Sequence, residues 1–395
     1  MTQIAPAAVV MAAGKSTRMK SELPKVLHEV CGRPLLDYVL DALRAADVRR
    51  IVVVVGFGKE QVIARFKDVP GIAFVEQTEQ RGTGHAVLVT ADALAGHSGP
   101  VVVLAGDGPF IRPEMIRAML DRRAAAGAKA LLATAVVANP FGMGRIVRDA
   151  GGQFVRIVEQ KDAAPQEAAI NEINPSFYCF DGPALFTALK SVRTDNAQGE
   201  YYLTDVPGIL RKEGAIVRAE ILADETDVFG INDRAQLGVA HRLMQGRIQA
   251  AFMASGVTIV DPSSTYLDAR AEIGRDTVIE PFTVIRGPVR IGARCRIGPF
   301  SHLRPGVTLA DDVEIGAFVE VVRSELGEGA LVRHLAYLGD ARIGAGVNVG
   351  AGVITANYDG KTKSETVVGD RAFLGSGAVF VAPVSIGEGA FVGAG

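Results

Sequence analysis

The chain has 395 residues, too many for one ordinary core when a domain runs to roughly 100–200 residues, and it is read as two domains. Hydrophobic residues make up 48% and charged residues 22%, enough to bury a full core, which excludes a disordered or low-complexity chain. Lys plus Arg total 42 against 44 Asp plus Glu, so there is no basic excess for a nucleic-acid backbone, and any anion is expected to be bound locally.

The first segment, MTQIAPAAVVMAAGKSTRM, has apolar residues but no basic region before them, and small residues and glycine interrupt the run. That pattern argues against a signal peptide, and no stretch of 18 or more apolar residues offers a membrane span, so a cytoplasmic protein without membrane insertion is expected. Up to about residue 230, short β-branched runs alternate with helical patterns: AAVVMAA, a helix at 34–46, IVVVVGFG, a helix at 60–66, GIAFVEQ, a helix at 84–94, and VVVLAGD. The rhythm predicts a mostly parallel sheet with helices on both faces, its ligands bound beyond the carboxyl ends of the strands.

After the first strand, AAGKSTRMKSELPK opens on small residues and gathers Lys15, Arg18, Lys20 and Lys25. Gly14 lets backbone N–H groups approach an anion and the cations neutralise it, so the turn is read as a phosphate cradle. Further on, 234–256 places Leu237, Ala240, Leu243, Met244, Ile248 and Phe252 at helical spacing. This is read as a linker helix or, with the same functional consequence, as the last helix of the first domain.

Beyond Gly256 an aliphatic residue recurs every six positions at Ile273, Ile279, Ile285, Ile291, Ile297, Leu303, Leu309, Ile315 and Val321. The register returns at Leu326, Val332 and Leu338, and again at Val368, Leu374, Phe380, Ile386 and Val392. A repeat too short for a helix pair marks a parallel β-helix, each side of the coil pointing one large aliphatic inward. The interruptions at Glu325 and at 355–366 are read as loops expelled from the coil. Cys31, Cys179 and Cys295 are odd in number, far apart and without metal-ligand spacing, and are expected to be reduced and inert.

The set AAGKSTRM with LPKVL, EQRGTGHA, LAGDGPFI, GMGRI, IVEQKDA, NAQGEYYLTD and GIND resembles the sugar-phosphate nucleotidyltransferases. Over essentially the whole chain it is similar to the bifunctional N-acetylglucosamine-1-phosphate uridylyltransferase/glucosamine-1-phosphate acetyltransferase family. The resemblance implies an α/β Rossmann-like nucleotidyltransferase domain at 1–233, a linker helix at 234–256, and a left-handed parallel β-helix of hexapeptide repeats at 257–395. It implies UTP bound by Ala12, Ala13, Gly14, Lys25, Gln77, Gln80, Gly82 and Thr83, with Arg18 and Lys25 as catalytic cations. A glutamine supplies the paired donor and acceptor that a uracil edge requires. Asp107 and Asn232 would hold Mg²⁺ through hard oxygen ligands, and Gly144, Glu159 and Asn174 would hold the N-acetylhexosamine.

In the coil, LRPG, VRHLAYLGD, VNVGAG and ANYDGKTK carry more polar groups than solvated corners require. The resemblance makes His334 the catalytic base, an imidazole that can take the proton the attacking amine must lose. Arg304, Tyr337 and Lys363 then bind the sugar phosphate, Asn348 and Asn357 orient the sugar, and the region of Tyr358 and Ser376 meets acetyl-CoA. Implied with these are small-molecule substrates, no nucleic-acid partner, and a homotrimer whose acetyl sites neighbouring chains complete. The chain departs from the family pattern at Ser16, Ala105, Gly108, Pro175–Ser176 and Val322, where a phosphate-binding lysine is usual. Its coil is about two turns shorter before LRPG, and its end at FVGAG lacks the closing coils, which reads as a C-terminal truncation. A second reading of the coil, as only a trimerisation scaffold under a monofunctional uridylyltransferase, rests on Val322 and that end.

Overall fold

A computed structural model describes residues 4–15 and 17–395; the departure at Ser16 lies outside the described residues. The chain divides into two compact units, one made of Met1–Glu29 with Pro34–Ala240, the other of Val30–Arg33 with His241–Gly395. The division falls inside the long helix Arg234–Ala254. The membership of Val30–Arg33 in the second unit has no sequence signal. It arises because Cys31 donates its backbone N–H to His241 Nδ1 at 3.3 Å and its carbonyl accepts from Ala269 N–H at 2.9 Å.

In the first unit the β-branched runs become a sheet ordered Val217–Ile221, Ala130–Val136, Glu172–Asp181, Pro100–Ala105, Ala7–Ala12, Arg50–Val55, Ile72–Glu76. Glu172–Asp181 runs antiparallel to both its neighbours, and the other pairings along this path are parallel. Ala7–Ala12 and Arg50–Val55 lack polar alternation because both faces are covered. Ala8, Val10, Ile51 and Val53 pack with the helices Leu35–Ala45 and Pro113–Ala125, while Ala7, Val9, Val52 and Val54 pack with Thr83–Leu88, Gly182–Leu189 and Asp205–Lys212. The helix expected at 84–94 ends at Leu88. Thr90 turns its hydroxyl back to the Val87 carbonyl at 2.7 Å, a local bond that competes with helix propagation.

The second unit is a left-handed parallel β-helix of three sheets with 8, 7 and 7 short strands. Residues eighteen apart pair from coil to coil, Ile279 with Ile297 and Ile285 with Leu303, so the six-residue repeat stacks aliphatics into one continuous buried column. The glycine that follows many of them marks a close approach of coils. A Cβ on Gly292 would lie 2.6 Å from the Ala310 backbone carbon, and one on Gly350 would lie 2.6 Å from Leu374 O. The expected loop at Glu325 is not there. Glu325–Leu326 is a strand, and Leu309 pairs with Leu326, so the coil is shortened by one residue at a corner instead. The second interruption does leave the coil, as an exposed loop closed by a bridge between Tyr358 and Lys363, and Val349 pairs across it with Leu374.

Candidate active sites

A cleft of about 470 Å³ opens at the carboxyl ends of Ala7–Ala12 and Pro100–Ala105. Ala12, Ala13, Gly14, Arg18, Lys25, Gln77, Gln80, Gly82, Thr83, Asp107 and Asn232 all line it, although they come from widely separated stretches of the chain. Parallel pairing explains the convergence, since strands in register deliver their following loops to one edge. Gln80 Nε2 donates to Ala13 O at 2.8 Å, tying its loop to the glycine turn. Gln77 is buried and donates from Nε2 to Gly82 O at 3.1 Å, which directs its amide along the cleft wall. Gly82 has φ +103°, and a Cβ there would lie 2.6 Å from Tyr201 O, so only glycine fits.

At the other end, Lys25 Nζ pairs with Asp107 Oδ2 and donates to Asn232 Oδ1 at 3.2 Å; Arg18 donates to the same Asn232 oxygen at 3.1 Å. Two hard oxygens thus face one cation, the Lys25 ammonium. Among the described residues no group of three or more His, Cys, Asp or Glu side chains could hold a metal, so an ion at this point would draw its other ligands from substrate and water.

Gly144, Glu159 and Asn174 form a cluster of their own beside the cleft. Asn174 pairs with Gly144 across antiparallel strands, and a Cβ on Gly144 would lie 3.5 Å from Glu159 Oε1. Burial raises the Glu159 carboxyl above its ordinary value, opposed by a hydrogen bond from Thr204 and reinforced by Asp162 and Asp205. Arg145 is fully buried beneath, donating to Met143 O and to Gln160 Oε1 at 2.7 Å. Sequence reading passed over Ser176 and Glu200, which line the cleft, and Thr204, which reaches Glu159. Glu200 and Thr204 stand inside the motif NAQGEYYLTD, where a signal existed; for Ser176 the signal was a departure from the family pattern.

In the coil, Tyr337, Asn357 and Asp340 come together. Cβ positions built on Gly339 fall 2.6 Å from Tyr337 Oη and 2.8 Å from Asn357 Nδ2, Asn357 donates to Asp340, and Lys363 lies close enough to lower the Asp340 carboxyl. Arg323, bidentate to Asp340, contributes most to that lowering. Arg304 is paired with Glu320 at 2.7 Å, one coil below Tyr337. His334 is exposed at the end of Leu331–His334, and Asn348 lies on the next strand of the same sheet, a different one from that of Tyr337. Tyr358 and Ser376 are exposed, and Val322 is buried. The three cysteines are free and buried; burial pushes the Cys31 thiol up to about 11 and the Cys179 thiol up to about 12.

A glycine turn with cations and paired side-chain oxygens at the edge of an α/β sheet, joined to a hexapeptide coil, defines a nucleotidyltransferase fused to a hexapeptide transferase. The family models agree: a MobA-like NTP transferase domain matches residues 8–199, bacterial transferase hexapeptide repeats match 270–302 and 288–323, and a hexapeptide repeat of succinyl-transferase matches 365–395. The chain is 46% identical over 421 residues to the bifunctional protein GlmU of Geobacillus sp. (strain WCH70), covering 98% of this chain and 91% of that protein. It is 45% identical to the GlmU of Shouchella clausii (strain KSM-K16) and 42% identical to that of Geobacter metallireducens, in each case over 98% of this chain and 92% of the relative. The chain belongs to the bifunctional GlmU family. It is a transferase with two activities, uridylyl transfer and acetyl transfer, and its coil is more than a scaffold. Among the described residues no helix is long and apolar enough to cross a membrane.

Proposed function

We propose that the chain acetylates glucosamine 1-phosphate with acetyl-CoA at 257–395 and then joins the product to UMP from UTP at 1–233, releasing pyrophosphate, with 234–256 as the link. The observation that carries the reading is the cleft in which the glycine turn, Arg18, Lys25, Asp107 and Asn232 converge. Asp107 and Asn232 suit Mg²⁺, since their oxygens already converge on a cation, and the ion when bound would neutralise phosphate charge. Lys25 then leaves the two oxygens and, with Arg18, turns to the phosphates. Gln77 and Gln80 read the uracil, while Gly144, Glu159 and Asn174 hold the sugar. The sugar phosphate oxygen attacks the α-phosphorus in line as pyrophosphate leaves, so the side chains act by positioning and charge neutralisation, with no covalent protein intermediate.

In the coil, His334 takes the proton from the attacking amine as nitrogen adds to the thioester carbonyl and the thiolate departs. Arg304, Tyr337 and Lys363 hold the phosphate, Asn348 and Asn357 the sugar, and the neighbourhood of Tyr358 and Ser376 the acyl donor, whose oxyanion a backbone N–H near Ser376 would stabilise. Small molecules are the substrates, and the working protein is a cytoplasmic homotrimer. Support for self-association comes from a stacked column of half-exposed Phe282, Phe300 and Phe318, with ring centroids 4.8 and 5.3 Å apart, apolar surface that association would cover.

Two crossed variants test the assignment, each half-reaction being assayed separately. Asp107→Asn is expected to lower Mg²⁺-dependent uridylyl transfer at least about a hundredfold and to leave acetyl transfer near wild type; His334→Ala is expected to do the reverse. Retention of a tenth of wild-type uridylyl transfer by Asp107→Asn, or of acetyl transfer by His334→Ala, removes that residue from its role.

A further inference from the structure

We infer that Ser176 is a specificity-determining contact for the sugar phosphate, its hydroxyl donating a hydrogen bond to the acceptor substrate where phosphate and sugar meet; the inference rests on the uridylyltransferase reading above. Ser176 has φ +66°, in the left-handed region, and among the described residues it is the only non-glycine in that region that lines the cleft. A glycine would adopt this conformation without steric cost, whereas a serine is strained there and adds a hydroxyl to the cleft wall. Strain of this kind persists where the surroundings over-determine it and the side chain has a use.

The surroundings do over-determine it. Glu172–Asp181 shifts register against Ala130–Val136 between Ile173 and Phe177, and the bulge places Ser176 in the wall that also holds Ala105 and Asp107. Asn174 holds the bulge on both sides: its Oδ1 accepts from Ser176 N–H at 3.3 Å and its Nδ2 donates to Tyr178 Oη at 2.6 Å. The Tyr178 hydroxyl, fully buried and with its pKa pushed up by that burial, is also within hydrogen-bond reach of the Ser176 side chain. Tyr178 Oη thus meets both the Asn174 amide and the Ser176 hydroxyl, contacts that fix the Ser176 side chain in the cleft wall.

Position supplies the ligand's identity. Ser176 lines the cleft together with Lys25, Arg18, Asp107 and Asn232, and it lies two residues from Asn174, which pairs with Gly144 in the cluster that holds Glu159. Glu159 brings negative charge and the Asn174 amide is already committed within the bulge. A neutral group at this position can meet a phosphate or glycosidic oxygen without adding to the charge of Lys25 and Arg18.

The test is isothermal titration of the whole chain with N-acetylglucosamine 1-phosphate and, separately, with UTP and Mg²⁺, for wild type, Ser176→Ala and Ser176→Gly. Both variants are expected to bind the sugar phosphate about tenfold more weakly and UTP within about twofold of wild type, since one hydrogen bond is removed from one substrate. Steady-state transfer should show the same split, with the KM for sugar phosphate raised and kcat little changed. Ser176→Gly should also melt higher than Ser176→Ala because its backbone strain is relieved, a check that both are folded. Sugar-phosphate affinity within twofold of wild type in either variant, or equal weakening toward UTP, overturns the inference. Wild type that binds the sugar phosphate without transferring uridylyl overturns the reaction reading and leaves Ser176 judged by its affinity ratio; wild type that does not bind it overturns both.

Discussion

Glu159 is placed among groups that oppose its charge. Its carboxyl is raised from 4.5 by burial above all, with Asp162 and Asp205 adding to the rise, while Thr204 and Arg145 pull it down. A carboxyl that holds its proton more tightly in the folded chain contributes stability that is full below the unfolded value and is lost as pH rises through the folded one. Above that window, ionised Glu159 is a cost to folding. Glu159→Gln is therefore expected to melt higher than wild type at about pH 7.5, with the difference shrinking toward zero as pH falls to 4.5, and to bind the sugar phosphate more weakly. A set of thermal melts across that range checks the sign; a variant that melts lower at neutral pH means the carboxylate stabilises the fold. In the sequence, Glu159 stood out only through IVEQKDA. The neighbours that shift it, Asp162 and Asp205, come from two segments and are recognisable as a group only once folded.

At the level of the coil, the stacked aliphatic column outweighs the surface charges. Arg294 reaches Asp312, Arg323 reaches Asp340, and Arg342 reaches Glu365, each joining one coil to the next. These arginine side chains all reach solvent, and exposed pairs of this kind are worth about 0–1 kcal/mol. Backbone proximity is less forgiving. A methyl on Gly292 would meet the backbone of Ala310, which cannot swing aside as a side chain can. Gly292→Ala is expected to destabilise the coil by about 1–3 kcal/mol, against less than about 1 kcal/mol for Arg342→Ala. Urea unfolding of the two variants gives the comparison, and equal losses would mean that the coils separate more easily than their register implies. The period of six was plain in the sequence because every side of the coil repeats the same inward position. The missing residue near Glu325 was read as a loop because a loop and a one-residue deletion restore the same pattern, and strand pairing alone tells them apart.

For the molecule as a whole, the apolar column of Phe282, Phe300 and Phe318 is the surface that the proposed homotrimer, a closed cyclic assembly, would cover. Multi-angle light scattering at concentrations where acetyl transfer is measured is expected to give three times the 41.6 kDa chain mass. A monomer that still transfers acetyl groups would show that one chain's residues suffice for that reaction.

What the sequence determined by itself was whatever is written locally or periodically. The β-branched runs, the glycine turn of 12–14 and the hexad of aliphatics each encode their element through contacts within a few residues or one coil. The family motifs carried the residues that line the cleft, Lys25 and Asn232 among them, and the motifs of the two domains together carried the two activities. Only the tertiary structure decided how those residues meet. Lys25 and Asn232 are 207 positions apart and share a hydrogen bond because the sheet's strands deliver their loops to one edge. The left-handed backbone at Ser176 and its place in the cleft wall follow from a register shift between two strands, and the membership of Val30–Arg33 in the second unit follows from hydrogen bonds to His241 and Ala269. Such features depend on which distant backbone lies alongside, and local composition carries no record of that.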